Sequence, residues 1–305
     1  EQPAHLHDGG QLRRRGEPDL FGLPIPDEAA LPPEDDILSL RRRIGQTGQE
    51  SRDMGFGAMV AGRYEEAVEH FKRAVEQDGP DSAEAKISLG EALEAMGHAP
   101  QALRQFLEAQ RAHASDRNPY LALADLYRRH GRFKQSIENL HRAVEATPDD
   151  AYCHFKLAEA LDQSGHPSHA LAAIQGAIAV EPTDAFYHFW MGNLLIRLRR
   201  YEDALGPLQA AIELSPGDDH FFLRAAVAFW GAGKRAEAIR ALRLATDLAS
   251  DNAAHQAALA LLLERDGQLV EASEARATVG ELDRYDQDAV SRLEIELDEA
   301  ESAKP

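Results

Sequence analysis

The sequence has 305 residues, of which 33 are basic and 52 acidic, giving a formal net charge of −19. A protein that binds nucleic acid needs a basic face to displace counterions from phosphates, so this charge argues against a nucleic-acid partner and favours a basic peptide. The longest apolar runs are far shorter than the ~20 residues needed to cross a bilayer, which predicts a soluble protein without direct membrane insertion.

Residues 1–47 contain six prolines and five glycines and show no periodicity until their end, which predicts a mostly extended N-terminal arm. Within the arm, PPEDDILSLRRRIG begins with proline, carries acids in its first turn and arginines in its last, and so predicts a short helix near residues 34–44. The stretch LRRRGEPDLFGLPIP combines basic residues with an apolar, proline-stiffened run. Its candidate docking residues are Arg13, Arg14, Arg15, Leu20, Phe21, Leu23 and Ile25.

The sequence leaves the compartment open. It begins with Glu1 rather than methionine, which slightly favours a periplasmic or exported protein because signal-peptide removal would explain it. A deliberately shortened gene or the choice of numbering would explain it equally well, so a cytoplasmic protein is nearly as well supported.

After the arm, a glycine recurs at nearly constant intervals. Seven positions are separated by 35 and then by 34 residues, and six of them are glycine. Small, bulky and small residues follow at offsets of 5, 9 and 12, the spacing of one face of a helix that packs closely against a neighbour. The repeated positions are Gly62, Gly97, Gly131, Gly165, Arg199, Gly233 and Gly267.

Each repeat also carries a helix-start signal. The residue before each first helix has a side chain that can accept a hydrogen bond from the free N–H groups of a helix start. The recurring glycine marks the turn into a second helix. The sequence therefore predicts seven helix pairs, with start residues Thr47, Ser82, Asp116, Asp150, Asp184, Asp218 and Asn252.

This pattern resembles the tetratricopeptide repeat family, with a small residue at position 8, glycine at 15, alanine at 20 and 27, and an apolar residue at 24. GRYEEAVEHFKRAVE from Gly62 and RRYEDALGPLQAAIELSP from Arg199 match closely. The resemblance implies an all-α, right-handed superhelical solenoid of about seven helix-turn-helix units over residues 48–284. Its repeats would start near residues 48, 83, 117, 151, 185, 219 and 253.

Residues 285–305 are predicted to form a C-terminal capping helix and tail. In YDQDAVSRLEIELDEA, the residues Val290, Leu293 and Leu297 fall on one face and acids lie elsewhere. A helix of this kind is expected to cover the last repeat and to leave a polar exterior.

The resemblance further implies that positions 2, 5, 9 and 12 of each first helix face an inner, concave groove. Five aromatic residues of repeats 4 to 6 fall on these positions, and an exposed aromatic patch of this size usually marks an interface. The alternative is that the rings pack against adjacent helices or are covered by the protein's own tail. The residues are Tyr152, Phe155, Phe186, Phe189 and Trp230, with Asn193 at position 9 of repeat 5.

The other part of the groove is acidic. Position 9 carries a carboxylate in three consecutive repeats and position 12 adds two more, with Arg128 as a partial counterweight. Like charges in a row repel, which is better tolerated where a cationic partner binds; a solvated acidic face is the alternative. The acids are Glu91, Glu94, Asp125, Glu159 and Asp162.

Catalytic and metal-binding motifs do not emerge from the sequence. GFGAMVAG, residues 55–62, resembles a phosphate-binding loop, but its end glycines are repeat positions 8 and 15 and no strand precedes it. HLHD at residues 5–8 and HPSH at residues 166–169 each offer two imidazoles without a matched second pair of ligands. Cys153 is expected to be buried rather than reactive. No cofactor, metal or enzymatic activity is predicted.

These features favour a non-enzymatic scaffold or adaptor that binds a basic and apolar or aromatic partner segment in the groove. The alternative is a structural or assembly subunit of a larger complex, such as a membrane-associated one, held through the arm and the convex face. The arm combines basic and apolar residues, the two features expected of a segment that binds in the groove. It would lie in its own groove, on another subunit to give self-association, or remain disordered.

Overall fold

The computed structural model describes residues 48–79, 81–281 and 287–302, so the predicted arm, its short helix and its docking residues lie outside the described residues. The chain divides into two compact units, residues 1–80 and 81–305. The regular elements of the described residues are all α-helices, which confirms the predicted all-α class. None of the helices in these ranges combines the length and apolar character needed to cross a membrane.

The first unit contains repeat 1, formed by α1 (Gly48–Val60) and α2 (Tyr64–Asp78). Phe71 of α2 is fully buried and fills the space beside Gly55, where a Cβ atom would lie 2.5 Å from its ring. The Phe56 ring packs edge-on against Phe71 with centroids 5.2 Å apart. The missing side chain at Gly55 therefore allows the two helices to cross closely.

The second unit contains six further helix pairs, repeats 2 to 7, and a terminal helix. The first helices begin at intervals of 34 residues. The pairs are α3 (Ala83–Ala95) with α4 (Ala99–Ala112), α5 (Arg117–Arg129) with α6 (Phe133–Ala146), α7 (Ala151–Gln163) with α8 (Pro167–Val180), α9 (Ala185–Arg197) with α10 (Tyr201–Leu214), α11 (Asp219–Gly231) with α12 (Arg235–Leu248), and α13 (Ala253–Arg265) with α14 (Leu269–Glu281); the terminal helix is α15 (Gln287–Ser302).

Each first helix of the second unit is capped by the side chain that precedes it. The cap oxygen accepts a hydrogen bond from a backbone N–H in the first turn, at 2.8 Å for Asp184 and 3.3 Å for Ser82. Such a bond satisfies one of the N–H groups that a helix start leaves free. The other caps are Asp116, Asp150, Asp218 and Asn252.

The turns between paired helices use the left-handed backbone region. Six of the seven turn residues are glycines with φ between 69° and 82°. Arg199 adopts the same conformation, with φ at 58°, although its Cβ atom makes that region unfavourable. The repeat geometry therefore imposes the turn on a residue that does not favour it.

Histidine or tyrosine at position 4 ties three repeats to the preceding turn. The Nε2 atoms of His154 and His188 each lie 2.9 Å from the backbone oxygens of Pro148 and Pro182. The Tyr120 hydroxyl donates to the corresponding oxygen of Ala114 at the same distance. His188, which lies among the aromatic residues of α9, is partly buried, and this contact gives it a structural role.

The terminal helix α15 packs against two repeats. Its main contacts are with α11 and α13, the first helices of repeats 6 and 7. Leu297 and Ala300 are buried there, whereas Ile295 is exposed. The helix α15 therefore contacts the first helix of the last repeat and, beyond what the sequence predicts, also the first helix of repeat 6.

Gly57 and Gly62, both in repeat 1, allow the effect of the turn conformation to be separated from the effect of adding a Cβ atom. A Cβ atom added at Gly62 or Gly57 meets no atom of the described residues within 4 Å, but only Gly62 has a positive φ, of 71°. We predict that Gly62→Ala destabilises repeat 1 by about 1–2 kcal/mol. Gly57→Ala, on an exposed face of α1, is expected to stabilise it by about 0.5–1 kcal/mol. Hydrogen exchange of α1 and α2 measures both, and equal effects would contradict the turn argument.

Candidate functional site

The first-helix face of the second unit is the surface formed by positions 2, 5, 9 and 12 of α3, α5, α7, α9, α11 and α13. Successive first helices contact one another directly, as α3 does with α5, α5 with α7, and α9 with α11. Side chains at one position in neighbouring repeats consequently form rows, and residues far apart in sequence meet on this face.

The aromatic cluster is centred on the Phe155 ring, at position 5 of repeat 4. Its centroid lies 5.1 Å from Phe186, 5.7 Å from Trp190, 5.9 Å from Tyr187 and 6.4 Å from Tyr152. Edge-to-face and tilted ring pairs of this kind stabilise the contact between α7 and α9. Tyr187 is buried, so position 3 belongs to the cluster although sequence reasoning did not select it.

Two rings of this cluster present an open surface. Tyr152 is 48% exposed and Phe186 is 46% exposed, and both occupy position 2 in successive repeats. Phe155 and Trp190 are half-buried and pack edge-on against each other, and Phe155 contacts both exposed rings. The cluster thus has a packed base and two accessible rings, an arrangement that holds apolar surface in place before any partner arrives.

Phe189 and Trp230 differ from these rings. Phe189 is half-buried and packs against Phe221, with centroids 4.7 Å apart. Trp230 is fully buried, so the expectation that it lines an open groove is wrong. It belongs to the same core cluster as Leu297 and Ala300 of α15.

The acids at position 12 pair with an arginine at position 13 of the next repeat. Glu94 Oε1 lies 3.3 Å from Arg129 Nη1, and Asp162 Oδ2 lies 2.5 Å from Arg197 Nη1. Both carboxylate side chains are nearly buried, at 12% and 10% exposure. These acids link adjacent repeats and are already neutralised by the protein itself.

Lys156 neutralises two acids at position 9. Its Nζ atom lies 2.6 Å from Glu159 Oε2 and 3.6 Å from Asp125 Oδ1, and Arg128 pairs with Asp125 at 3.2 Å. Burial lowers the pKa of Lys156, but the hydrogen bond to Glu159 and the charges of Asp125 and Glu159 outweigh it, so this pKa lies above its ordinary value. The row is therefore less negative than the acids alone suggest.

The surroundings of Glu91, at position 9 of repeat 2, disfavour its charged form. Desolvation by the surrounding protein raises the pKa of its carboxyl, Arg129 lowers it, and Glu94 and Asp125 raise it further. The Glu91 side chain is nevertheless exposed to solvent at the surface of α3. A cation brought to this carboxylate would offset the cost of desolvation and the repulsion from Glu94 and Asp125.

At the other end of the face, α15 supplies acids to three arginines. Arg224 Nη1 lies 2.6 Å from Glu296 Oε2, Arg265 Nη2 lies 2.7 Å from Asp298 Oδ1, and Arg199 Nη2 lies 3.5 Å from Glu299 Oε2. Arg224 Nε also donates to Asn193 Oδ1 at 2.5 Å, so the predicted groove residue Asn193 is engaged. The part of the face that α15 leaves open therefore lies towards repeats 2 to 5.

Comparisons with known proteins agree with this architecture. One family model described as tetratricopeptide repeat matches residues 53–117 and 155–219, and a second such model matches residues 117–160. Together they cover more than half of the chain. No curated protein matches the sequence significantly.

Two solved structures show the same fold. The crystal structure of YrrB, described as a tetratricopeptide repeat protein with an unusual peptide-binding site, is 22% identical, with a TM-score of 0.51 over 65% of this chain and 98% of that one. MamA, residues 41 to the end, from Desulfovibrio magneticus RS-1 is 20% identical, with a TM-score of 0.51 over 55% of this chain and 95% of that one.

The raised pKa of Glu91 gives a pH-dependent prediction. A carboxyl with a folded pKa above its unfolded value binds more protons in the folded state, so its ionisation destabilises the fold as pH rises through that range. We expect Glu91→Gln to be more stable than wild type at pH 7, with the difference shrinking towards pH of about 4. Urea unfolding across this range measures the difference. Glu138→Gln, at an exposed site on α6, is the control, and parallel pH profiles for wild type and Glu91→Gln would contradict the prediction.

Proposed function

The chain belongs to the tetratricopeptide repeat family, and from this premise we propose that it is a non-enzymatic adaptor that binds a protein segment on the first-helix face of repeats 2 to 5. The exposed rings of Tyr152 and Phe186 carry this proposal. They are held by Phe155 on a packed aromatic base and lie outside the part of the face that α15 covers.

The proposed ligand has arginine or lysine close to apolar or aromatic residues. The exposed rings offer apolar contact and faces on which a guanidinium can stack. Glu91, on the acidic side of the same face, gains stability when a cation approaches its carboxylate. Binding is expected to weaken as salt rises, because this attraction is screened.

An alternative is a structural subunit that is bound into a larger complex through the surface formed by the second helices of the repeats. Leu214 and Leu248 occupy position 30 in successive repeats and are 40% and 47% exposed, and Leu244 is 49% exposed one turn earlier in α12. This apolar row is as accessible as the exposed rings on the first-helix face. The two proposals therefore assign binding to different sides of the same helix pairs.

Two double variants separate these proposals. We predict that Tyr152→Ala with Phe186→Ala weakens partner binding by at least about tenfold, the loss expected for two anchoring aromatics. Leu214→Ala with Leu248→Ala, which removes similar exposed apolar area, is expected to leave the affinity unchanged. Partners are captured with the wild-type chain, identified by mass spectrometry and then titrated calorimetrically against each variant.

The reverse result, with affinity lost only in the leucine variant, would support the structural-subunit proposal. Equal affinities for all three proteins would exclude both surfaces. Circular dichroism of each variant serves as the fold control, since the four side chains are exposed and their truncation is expected to preserve the helices.

The N-terminal arm is proposed as an internal or neighbouring ligand of the same face. Tethering raises the effective concentration of LRRRGEPDLFGLPIP, to roughly millimolar for a short flexible connection, and its prolines lower the entropy lost on docking. We predict that trypsin cleaves at Arg13, Arg14 and Arg15 faster in the Tyr152→Ala, Phe186→Ala variant than in wild type. Equal cleavage rates in the two proteins, at low and at high protein concentration, would contradict docking in either arrangement.

A further inference from the structure

Three side chains with metal-binding atoms meet where two neighbouring first helices begin. Asp219 and His220 occupy the first turn of α11, and His255 occupies the first turn of α13. One ligand atom from each lies within 4.8 Å of those of the other two. The cluster thus joins repeat 6 to repeat 7 through residues that are far apart in the sequence.

One ring nitrogen of His255 faces this cluster as a candidate ligand atom. The residue is 1% exposed, and its Nδ1 atom has no hydrogen-bond partner among the described residues, although Asp219 Oδ2 lies 3.3 Å away. A buried polar atom left unbonded is unfavourable and rare. The position 4 histidines His154 and His188, in contrast, each place a ring nitrogen on a backbone oxygen.

The position of the His255 ring suits a metal ligand. A neutral imidazole nitrogen has a lone pair that can bind a metal, and Nδ1 is the ring atom on the Asp219 side of the cluster. His220 is exposed and its ring lies 5.8 Å from that of His255, so the cluster is open to solvent on one side.

From this geometry we propose that Asp219, His220 and His255 form a zinc-binding site that bridges repeats 6 and 7. Two imidazoles and one carboxylate are a ligand set that suits Zn²⁺, whereas Ca²⁺ and Mg²⁺ favour oxygen ligands. Tetrahedral ligands bound at about 2.0–2.1 Å are roughly 3.4 Å apart, close to the 3.3 Å between His255 Nδ1 and Asp219 Oδ2.

The ligand atoms of the cluster lie up to 4.8 Å apart, and rotation of the exposed His220 side chain brings its ring nitrogen to bonding distance from the metal. Three protein ligands leave a fourth coordination position for water or for a side chain of a partner. Bound zinc links the first turns of α11 and α13, and it stabilises the folded state by an amount that grows with the logarithm of the free zinc concentration relative to Kd. The site shares no residue with the aromatic cluster, so a failure of zinc binding would not contradict the proposed partner binding.

The test uses the tag-free full chain, freed of metal with a chelator and titrated with zinc chloride by isothermal calorimetry. His220→Ala removes an exposed ligand and is expected to keep the fold while weakening zinc binding by at least about tenfold, as even outer-sphere changes cost 10–100-fold. Asp219→Asn is expected to act in the same direction. Thermal unfolding with added zinc should shift upward in wild type and much less in His220→Ala.

His166→Ala with His169→Ala is the matched control, because these exposed histidines have ring centroids 6.1 Å apart but lie outside the cluster. This variant is expected to bind zinc like wild type. Zinc held by HLHD, residues 5–8, would be unaffected in all variants. No zinc binding by wild type, or equal affinity and stoichiometry in wild type and His220→Ala, would overturn the proposal.

Discussion

The close crossing of two helices within each repeat is the packing constraint on which the rest of the structure depends. In repeat 5 a Cβ atom at Gly192 would lie 2.5 Å from Leu208 Cγ, and in repeat 2 one at Gly90 would lie 2.3 Å from the Phe106 ring. Interiors at native density leave no room for such an extra atom. The small residue at position 8 and the bulky one at position 24 therefore fix the crossing, and that crossing requires the tight turn at position 15.

Most of the fold follows from patterns visible in the sequence, because these local requirements recur in phase. The repeat phase, the helix starts and the turns could all be predicted, since each depends on residue types within one repeat. Arg199 adopts the conformation of its glycine counterparts, which shows that packing overrides the preference of a single residue. The contact of α15 with repeat 6 could not be predicted, because the apolar face of this helix does not indicate how far along the array it extends.

The candidate site was less accessible to sequence reasoning, for reasons of tertiary contact. Family positions placed Tyr152 and Trp230 on the same face, yet one is half exposed and the other fully buried. The acids were identified without the arginines that neutralise them, because the partners of Glu94 and Asp162 lie 35 residues further on. His220 and His255 are likewise 35 residues apart and share no local motif. Aligning whole repeats, rather than single positions, would bring such pairs together.

The burial of Trp230 has a spectroscopic consequence. The chain has two tryptophans, and they occupy different surroundings: Trp230 is fully buried with an arginine, Arg235, 5.1 Å from its ring centre, whereas Trp190 is half-buried in the aromatic cluster. A buried indole emits at shorter wavelength than a solvent-exposed one, so the two tryptophans are expected to differ in emission maximum. Intrinsic fluorescence thus provides one native reporter near the exposed rings and a second in the core shared with α15, without any attached dye.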